Sequence, residues 1–233
     1  MNNRSETIRN ILVPIIAVIL GFILGGIIMA AFGYDPLQGY SQMFKTVFIN
    51  PQTQQINPRN IGEIFVTAGP LIFTALGFSI ANSAGFFNIG LSGQALCGWI
   101  ASVWVALSLP DTPKPLAVTA ALVAGALAGA LAGAIPGILR AFFGTSEVIV
   151  TIMMNYILLY LTSHMVNYVM PEKFISNKGV TNLVGQNAML QTDFLRSISN
   201  NSRLNIGFFL ALLFLVLVWF MMRIAYLILL NVL

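Results

Sequence analysis

The sequence predicts an all-α fold, a polytopic membrane bundle of about six transmembrane helices. Three observations predict it. Only 8% of the 233 residues are charged and mean hydropathy is +0.86, whereas a soluble domain carries roughly 25% charged residues. Residues 64–110, a run of 47, contain no Asp, Glu, Lys, Arg or His. Uncharged stretches approaching the roughly 20 residues that cross a bilayer recur along the chain, giving six spans.

The first span is residues 11–32, ILVPIIAVILGFILGGIIMAAF, after the polar start MNNRSETIRN. Its 22 uncharged residues exceed the roughly 7 to 15 of a cleavable signal core, and no small-x-small cleavage site follows, so it reads as a retained helix. Residues 33–62 are polar, with Asp35, Lys45, Arg59 and three prolines, and their NPQTQQINPRN stretch reads as a solvated connection. The 47-residue run has room for two spans, 64–80 and 89–109, and a connector. Pro110, Asp111, Pro113, Lys114 and Pro115 make a turn, because prolines this dense cannot continue a helix. The fourth span is 116–139. Residues 140–147 link it to the fifth, 148–170, which ends at Pro171. A long polar segment, 171–205, precedes the sixth span at 206–222. The chain reads as a single transmembrane domain over 1–233, with an atypical tail, 224–233, that is apolar but too short to cross.

Composition excludes several function classes. Net charge is +4 and pI about 9.5, yet the eleven Lys and Arg are scattered rather than gathered into the basic stripe that nucleic acid needs. Cys97 is the sole cysteine and lies in an apolar run, so it reads as packing, with no disulfide or cysteine metal site. No G-x-x-x-x-G-K-[ST] occurs, so no P-loop binds ATP in this chain, and no G-x-S-x-G elbow supplies a nucleophile. His164, the one histidine, lies about 180° around its helix from Asn155 with no carboxylate at helical spacing. An intramembrane enzyme using Glu147 and His164 is therefore a poor reading. No catalytic residue, metal ligand or cofactor is expected in this chain.

Three features remain. In GALAGALAGAIPG, Gly125, Gly129, Gly133 and Gly137 recur every four residues and form one smooth helix face for close packing. In the fifth span, Glu147, Thr151, Asn155 and Thr162 share a face, so a polar stripe enters the bilayer, either as interhelical glue or as the lining of a pathway. Between the second and third spans, residues 82–94 have the composition of a turn in water inside a charge-free run. Non-helical backbone at membrane depth is tolerated only where protein buries it or it lines a cavity. A tight surface turn and a re-entrant or broken-helix segment are both open readings.

Charge leaves the orientation undecided. With the N-terminus inside, four basic residues (Arg4, Arg9, Arg140, Arg223) lie inside and seven (Lys45, Arg59, Lys114, Lys173, Lys178, Arg196, Arg203) outside, against the positive-inside tendency.

FFNIGLSGQALCGW resembles the FNIG-x-x-GQ signature of permease subunits of bacterial ABC importers similar to ribose and nucleoside uptake systems. GTSEVIVTIMMNYILLYL resembles a second family stretch, GT-N-EVIVT-x-M-x-NYI, of the nucleoside branch, and GYDPLQGYSQMF is similar to the same branch. The resemblance covers most of residues 11–222. It implies a multi-pass subunit of the bacterial cytoplasmic membrane that pairs with a second permease subunit, two cytoplasmic ATPase subunits and an external solute-binding protein. ATP hydrolysis elsewhere would drive alternating access while this subunit lines half of the path for a nucleoside or similar sugar-containing solute. It further implies a cytoplasmic N-terminus, with the FNIG connector and Arg140 inside and 171–205 outside.

Two departures stand out. Ser92 occupies a position where many relatives have Glu. After the sixth span, relatives continue with GF-x-x-RA-x-G-x-N, an ATPase-docking segment, whereas this sequence reads MMRIAYLILLNVL and stops. Later spans and the coupling element are thus expected to be missing, and the chain alone is not expected to support ATP-driven uptake. The reading from sequence is a permease whose path is lined by the second, third and fifth spans, with Asn88, Gly90, Gly93, Thr151 and Asn155 as path or gate positions. The alternative is a non-transporting assembly subunit or an inactive truncated permease.

Overall fold

The computed structural model describes residues 3–50 and 53–232. Its helices are α1 (Asn3–Ala31), α2 (Pro36–Phe48), α3 (Pro58–Ser83), α4 (Leu91–Ser108), α5 (Lys114–Phe143), α6 (Glu147–His164), α7 (Asp193–Ile198) and α8 (Ile206–Val232). Six of them, α1, α3, α4, α5, α6 with its continuation, and α8, are long and apolar enough to cross a membrane. They coincide with the six uncharged stretches, and the chain is a multi-pass membrane protein. Large apolar side chains such as Leu131, Met153 and Phe220 stand exposed along these helices, as expected where lipid rather than water is the solvent.

The chain forms two compact units, Met1–Ile61 and Gly62–Leu233. In the first, α2 is a helix within the polar segment 33–62 that the sequence reading does not anticipate. Asp35 caps it, its Oδ1 accepting from the backbone N–H of Leu37 at 2.9 Å and of Gln38 at 3.2 Å, and Pro36 opens the helix with φ already fixed. Tyr40 then folds α2 onto α1: its hydroxyl donates to the Phe22 carbonyl at 2.6 Å, and the two rings meet edge to face at 5.3 Å.

In the second unit, α4 packs chiefly against α5 and also against α6. The glycine face explains how. A Cβ on Gly125 would overlap the Ser102 hydroxyl and stand 3.0 Å from the Gly98 carbonyl, so the two backbones touch there. The Ser102 hydroxyl, freed to reach across, donates to the Ala121 carbonyl at 2.9 Å. Gly129 faces the Gln94 carbonyl and Gly133 the Gln94 amide, each 3.5 Å from where a Cβ would sit, but nothing lies within 4 Å of Gly137. Three of the four glycines therefore meet α4 and the fourth does not. Gly125→Ala is expected to cost about 1–3 kcal/mol through overpacking. Gly137→Ala is expected to be neutral or stabilising by up to about 1 kcal/mol, since alanine is the better helix former. Thermal unfolding midpoints of the two variants in the same detergent check the contrast. Cys97, half-buried and free, packs beside Ala132, Met154 and Leu158, as expected.

The helix α6 does not stop at His164 but widens into a π-helical turn, Met165–Val169. Val166 and Met170 there join Ile100 of α4 and Phe174 in one buried cluster. Segment 171–205 folds over the end of the unit that also holds Glu63 and the α4–α5 turn. A short hairpin pairs Ile175–Asn177 with Val180–Thr181. Asn187 Nδ2 donates to the Leu109 carbonyl at 2.7 Å and Lys114 Nζ to the Gln191 carbonyl at 2.7 Å. Arg203 makes a two-pronged pair with Glu63, at 2.9 Å from Nε and 2.6 Å from Nη2. The Glu63 carboxylate's hydrogen bonds, and then its charge, raise the Arg203 guanidinium further above its ordinary value. Connector 84–90 and the α5–α6 corner occupy the opposite end. The atypical tail continues α8 without a break to Val232; its side chains from Ala225 onward, and Leu233 altogether, lie outside the described residues, as do the side chains of Arg4 and Arg9.

Candidate functional site

The problem posed by residues 82–94 is one of backbone hydrogen bonds, and the structure solves it with side-chain amides. The helix α3 ends in a left-handed cap: Gly85, at φ +71°, donates to the Asn82 carbonyl at 3.0 Å, and Phe86 N–H reaches back to the Ala81 carbonyl at 2.9 Å. Only a residue without Cβ adopts that φ without strain. Residues 84–90 then run to the start of α4 with no helix of their own, so the connector is a turn between two helix ends.

Its second half is bound to α6. Asn88 is buried, and its Oδ1 accepts from Gly90 N–H at 2.8 Å while its amide pairs with that of Gln94 at 3.2 Å. Thr151, fully buried, accepts from Ile89 N–H at 3.3 Å and donates to the Val148 carbonyl at 3.2 Å. Asn155 does most. Its Nδ2 donates to the Ile89 carbonyl at 2.8 Å, and its Oδ1 accepts both Gly93 N–H at 2.8 Å and the Ser92 hydroxyl at 3.1 Å. The first turn of a helix leaves N–H groups without intrahelical partners, and α4 has no cap from its own N-cap residue, Gly90. Asn155 supplies one from another helix.

Glycine makes this approach geometrically feasible. A Cβ on Gly93 would stand 2.9 Å from Asn155 Oδ1 and 3.0 Å from its Cα; one on Gly90 would stand 3.1 Å from Asn88 Oδ1 and 3.3 Å from Thr151 Cβ. Asn88, Gly90, Gly93, Thr151 and Asn155 are thus brought together in one place, and each is engaged in holding the connector against α6. Of the polar stripe, Thr151 and Asn155 reach the connector, Thr162 is buried further along, and Glu147 forms an ion pair with Arg140, whose guanidinium also lies 5.8 Å from the centre of the Phe86 ring. His164 stacks on Tyr168 at 5.2 Å, about 25 Å along the helix from Glu147. These two residues cannot share a catalytic centre.

Beside the staple lies an open cleft of about 430 Å³ between α4 and α6. Ile89, Leu96, Ile152 and Leu159 give it apolar walls, Gly93 lies at its edge, and Ser92, Asn155 and Tyr156 supply the polar atoms. Among the described residues no charged side chain lines it. Tyr156 had no signal of its own in the sequence: an aromatic next to Asn155 on an apolar span reads as a lipid-facing ring.

A family model described as "Branched-chain amino acid transport system / permease component" matches residues 60–225. The chain belongs to this permease family. It is 46% identical to the nucleoside ABC transporter permease protein NupB of Lactococcus lactis over 93% of its length and 57% of that protein's. It is 40% identical to the guanosine ABC transporter permease protein NupP of Bacillus subtilis, over 94% of this chain and 59% of that one. The glucose ABC transporter permease protein TsgB13 of Haloferax volcanii is 31% identical over 65% of this chain and 38% of its own. The chain therefore spans little more than half the length of the first two curated relatives. No solved structure matches it.

Proposed function

We propose that this chain forms transmembrane helices of an ABC importer permease whose solute is a nucleoside. The observation that carries the reading is the cleft beside the connector: about 430 Å³, bounded by apolar and neutral polar groups. That volume is within the range of small-molecule sites, and such walls suit a solute with an apolar face and a few hydroxyls. A zwitterionic amino acid would leave two charges there without partners, at high cost. Likeness to NupB and NupP points the same way.

The rest of the machinery follows from that reading. A second permease subunit completes the path, separate ATPase subunits on the cytoplasmic face hydrolyse ATP, and an external solute-binding protein delivers the nucleoside. The N-terminus then lies in the cytoplasm, with the connector and the Arg140–Glu147 corner facing the ATPases and 171–205 facing the binding protein. Asn88, Gly90, Gly93, Thr151 and Asn155 act as the frame of the gate, and the cleft beside them takes the solute. Deleting the whole permease gene that encodes these residues, whatever its length, should abolish saturable uptake of radiolabelled uridine by intact cells, and in the parent strain guanosine should compete whereas leucine should not. Unchanged uridine uptake together with lost leucine uptake would sink the nucleoside reading.

A further inference from the structure

We infer that Tyr156 is the platform on which the base of the solute stacks, with the Ser92 hydroxyl beside it meeting a polar group of the same molecule; this rests on the nucleoside reading above. The other polar groups of the cleft are already committed. Asn155 Oδ1 accepts two hydrogen bonds and its Nδ2 donates one to Ile89, which leaves that amide little capacity for a ligand. Tyr156 is different: it is 61% exposed, and none of the described hydrogen bonds or ring contacts engages its side chain. Ser92, also exposed, donates to Asn155 and keeps acceptor capacity on its oxygen.

Geometry sets the ring in the wall. Ile152, Tyr156 and Leu159 follow helical spacing on α6 and form one side of the cleft, while Gly93 and Leu96 of α4 form the other. At Gly93 the two helices meet, the place of the missing side chain being taken by Asn155 and Leu158, and the cleft opens beside that contact. Every base has a π-face and stacks on an aromatic whatever its ring edge. A platform of this kind accepts purine and pyrimidine nucleosides alike and rejects free ribose, which has no base.

The test is photolabelling of native membrane vesicles containing the full chain with tritiated 5-azidouridine, followed by peptide mapping. In the wild type, label is expected on the α4–α6 peptides, suppressed by excess uridine or guanosine and not by ribose or leucine. Tyr156→Leu should reduce the protectable label about tenfold, and Tyr156→Phe, which keeps the ring, should recover most of it. Helical content of each variant, read by circular dichroism after purification, should equal that of the wild type, since the side chain is largely exposed. Protectable label in Tyr156→Leu equal to the wild type would overturn the stacking role and leave the nucleoside reading standing. Suppression by ribose as strong as by uridine would also overturn it, because the base would then not be what is recognised. Wild-type label that uridine fails to suppress would overturn both.

Discussion

Replacing Asn155 by leucine is expected to detach the connector from α6 and to destabilise the protein by about 2–4 kcal/mol. Leucine has nearly the same shape, so packing against Gly93 is largely kept. What goes is the Nδ2 bond to the Ile89 carbonyl and the Oδ1 bonds to Gly93 N–H and the Ser92 hydroxyl. The Gly93 N–H is part-buried and costs about 1–3 kcal/mol when left unpaired, and the more exposed Ile89 carbonyl adds less. The connector then keeps the 3.3 Å bond from Ile89 N–H to Thr151 and the contacts of Phe86 and Phe87 with the Arg140–Glu147 corner. A thermal midpoint lower by roughly 5–10 °C in detergent corresponds to that loss for a chain of this size. Protease cleavage within 84–90 should rise with it. A midpoint unchanged within error would mean that Asn155 faces a ligand path without holding the fold. Asn155→Asp is the informative companion: it keeps the acceptor but sets a carboxylate against the Ile89 carbonyl, so it too should lower the midpoint at neutral pH.

Gly93→Val should be strongly destabilising. Its Cβ meets the Asn155 backbone as well as its side chain, at 3.0 Å from Cα and 2.9 Å from Oδ1, with Leu158 Cβ at 3.2 Å. A flexible neighbour would yield, but a helix backbone does not, so α6 must shift as a body and the Asn155 bonds break with it. Overpacking of this kind costs about 1–3 kcal/mol, to which the lost hydrogen bonds add. Gly93→Ala should show the first part of the effect. Under the nucleoside reading both variants lose uridine uptake in proportion to the displacement, because Gly93 also lines the cleft. Comparing midpoints of Gly93→Ala, Gly93→Val and Gly137→Ala in one preparation separates a close approach from a general intolerance of side chains on glycine helices.

Much of this arrangement is legible in the sequence, for identifiable physical reasons. Membrane spans follow from uncharged length, because a single charge at the bilayer centre is costly; α3 and α5 run further than predicted at both ends, α4 is slightly shorter at both, and α8 starts where predicted but continues to Val232. Asn88, Gly90, Gly93, Thr151 and Asn155 stand out because amides, hydroxyls and glycines in a charge-free run require partners. Their partners turn out to be one another, a pairing that sequence could not give since it joins residues more than 60 positions apart. The helix α2 was less visible: it is short and bounded by prolines, so its one clear sign was the Asp35–Pro36 start followed by Leu37, Tyr40, Phe44 and Phe48 at helical spacing. Gly137 shows what a repeat leaves open: it fixes a face but not how far a neighbouring helix of the same chain extends along it. Tyr156 was invisible for the same reason that lipid-facing aromatics are common.

The most direct test is chemical access to position 92. With Cys97 replaced by serine and Ser92 by cysteine, a small water-soluble thiol reagent applied to membrane vesicles should modify the introduced thiol, and uridine should slow the reaction while leucine leaves it unchanged. A thiol that does not react, or one whose reaction uridine fails to slow, would show that the cleft between α4 and α6 faces lipid or another helix and carries no solute.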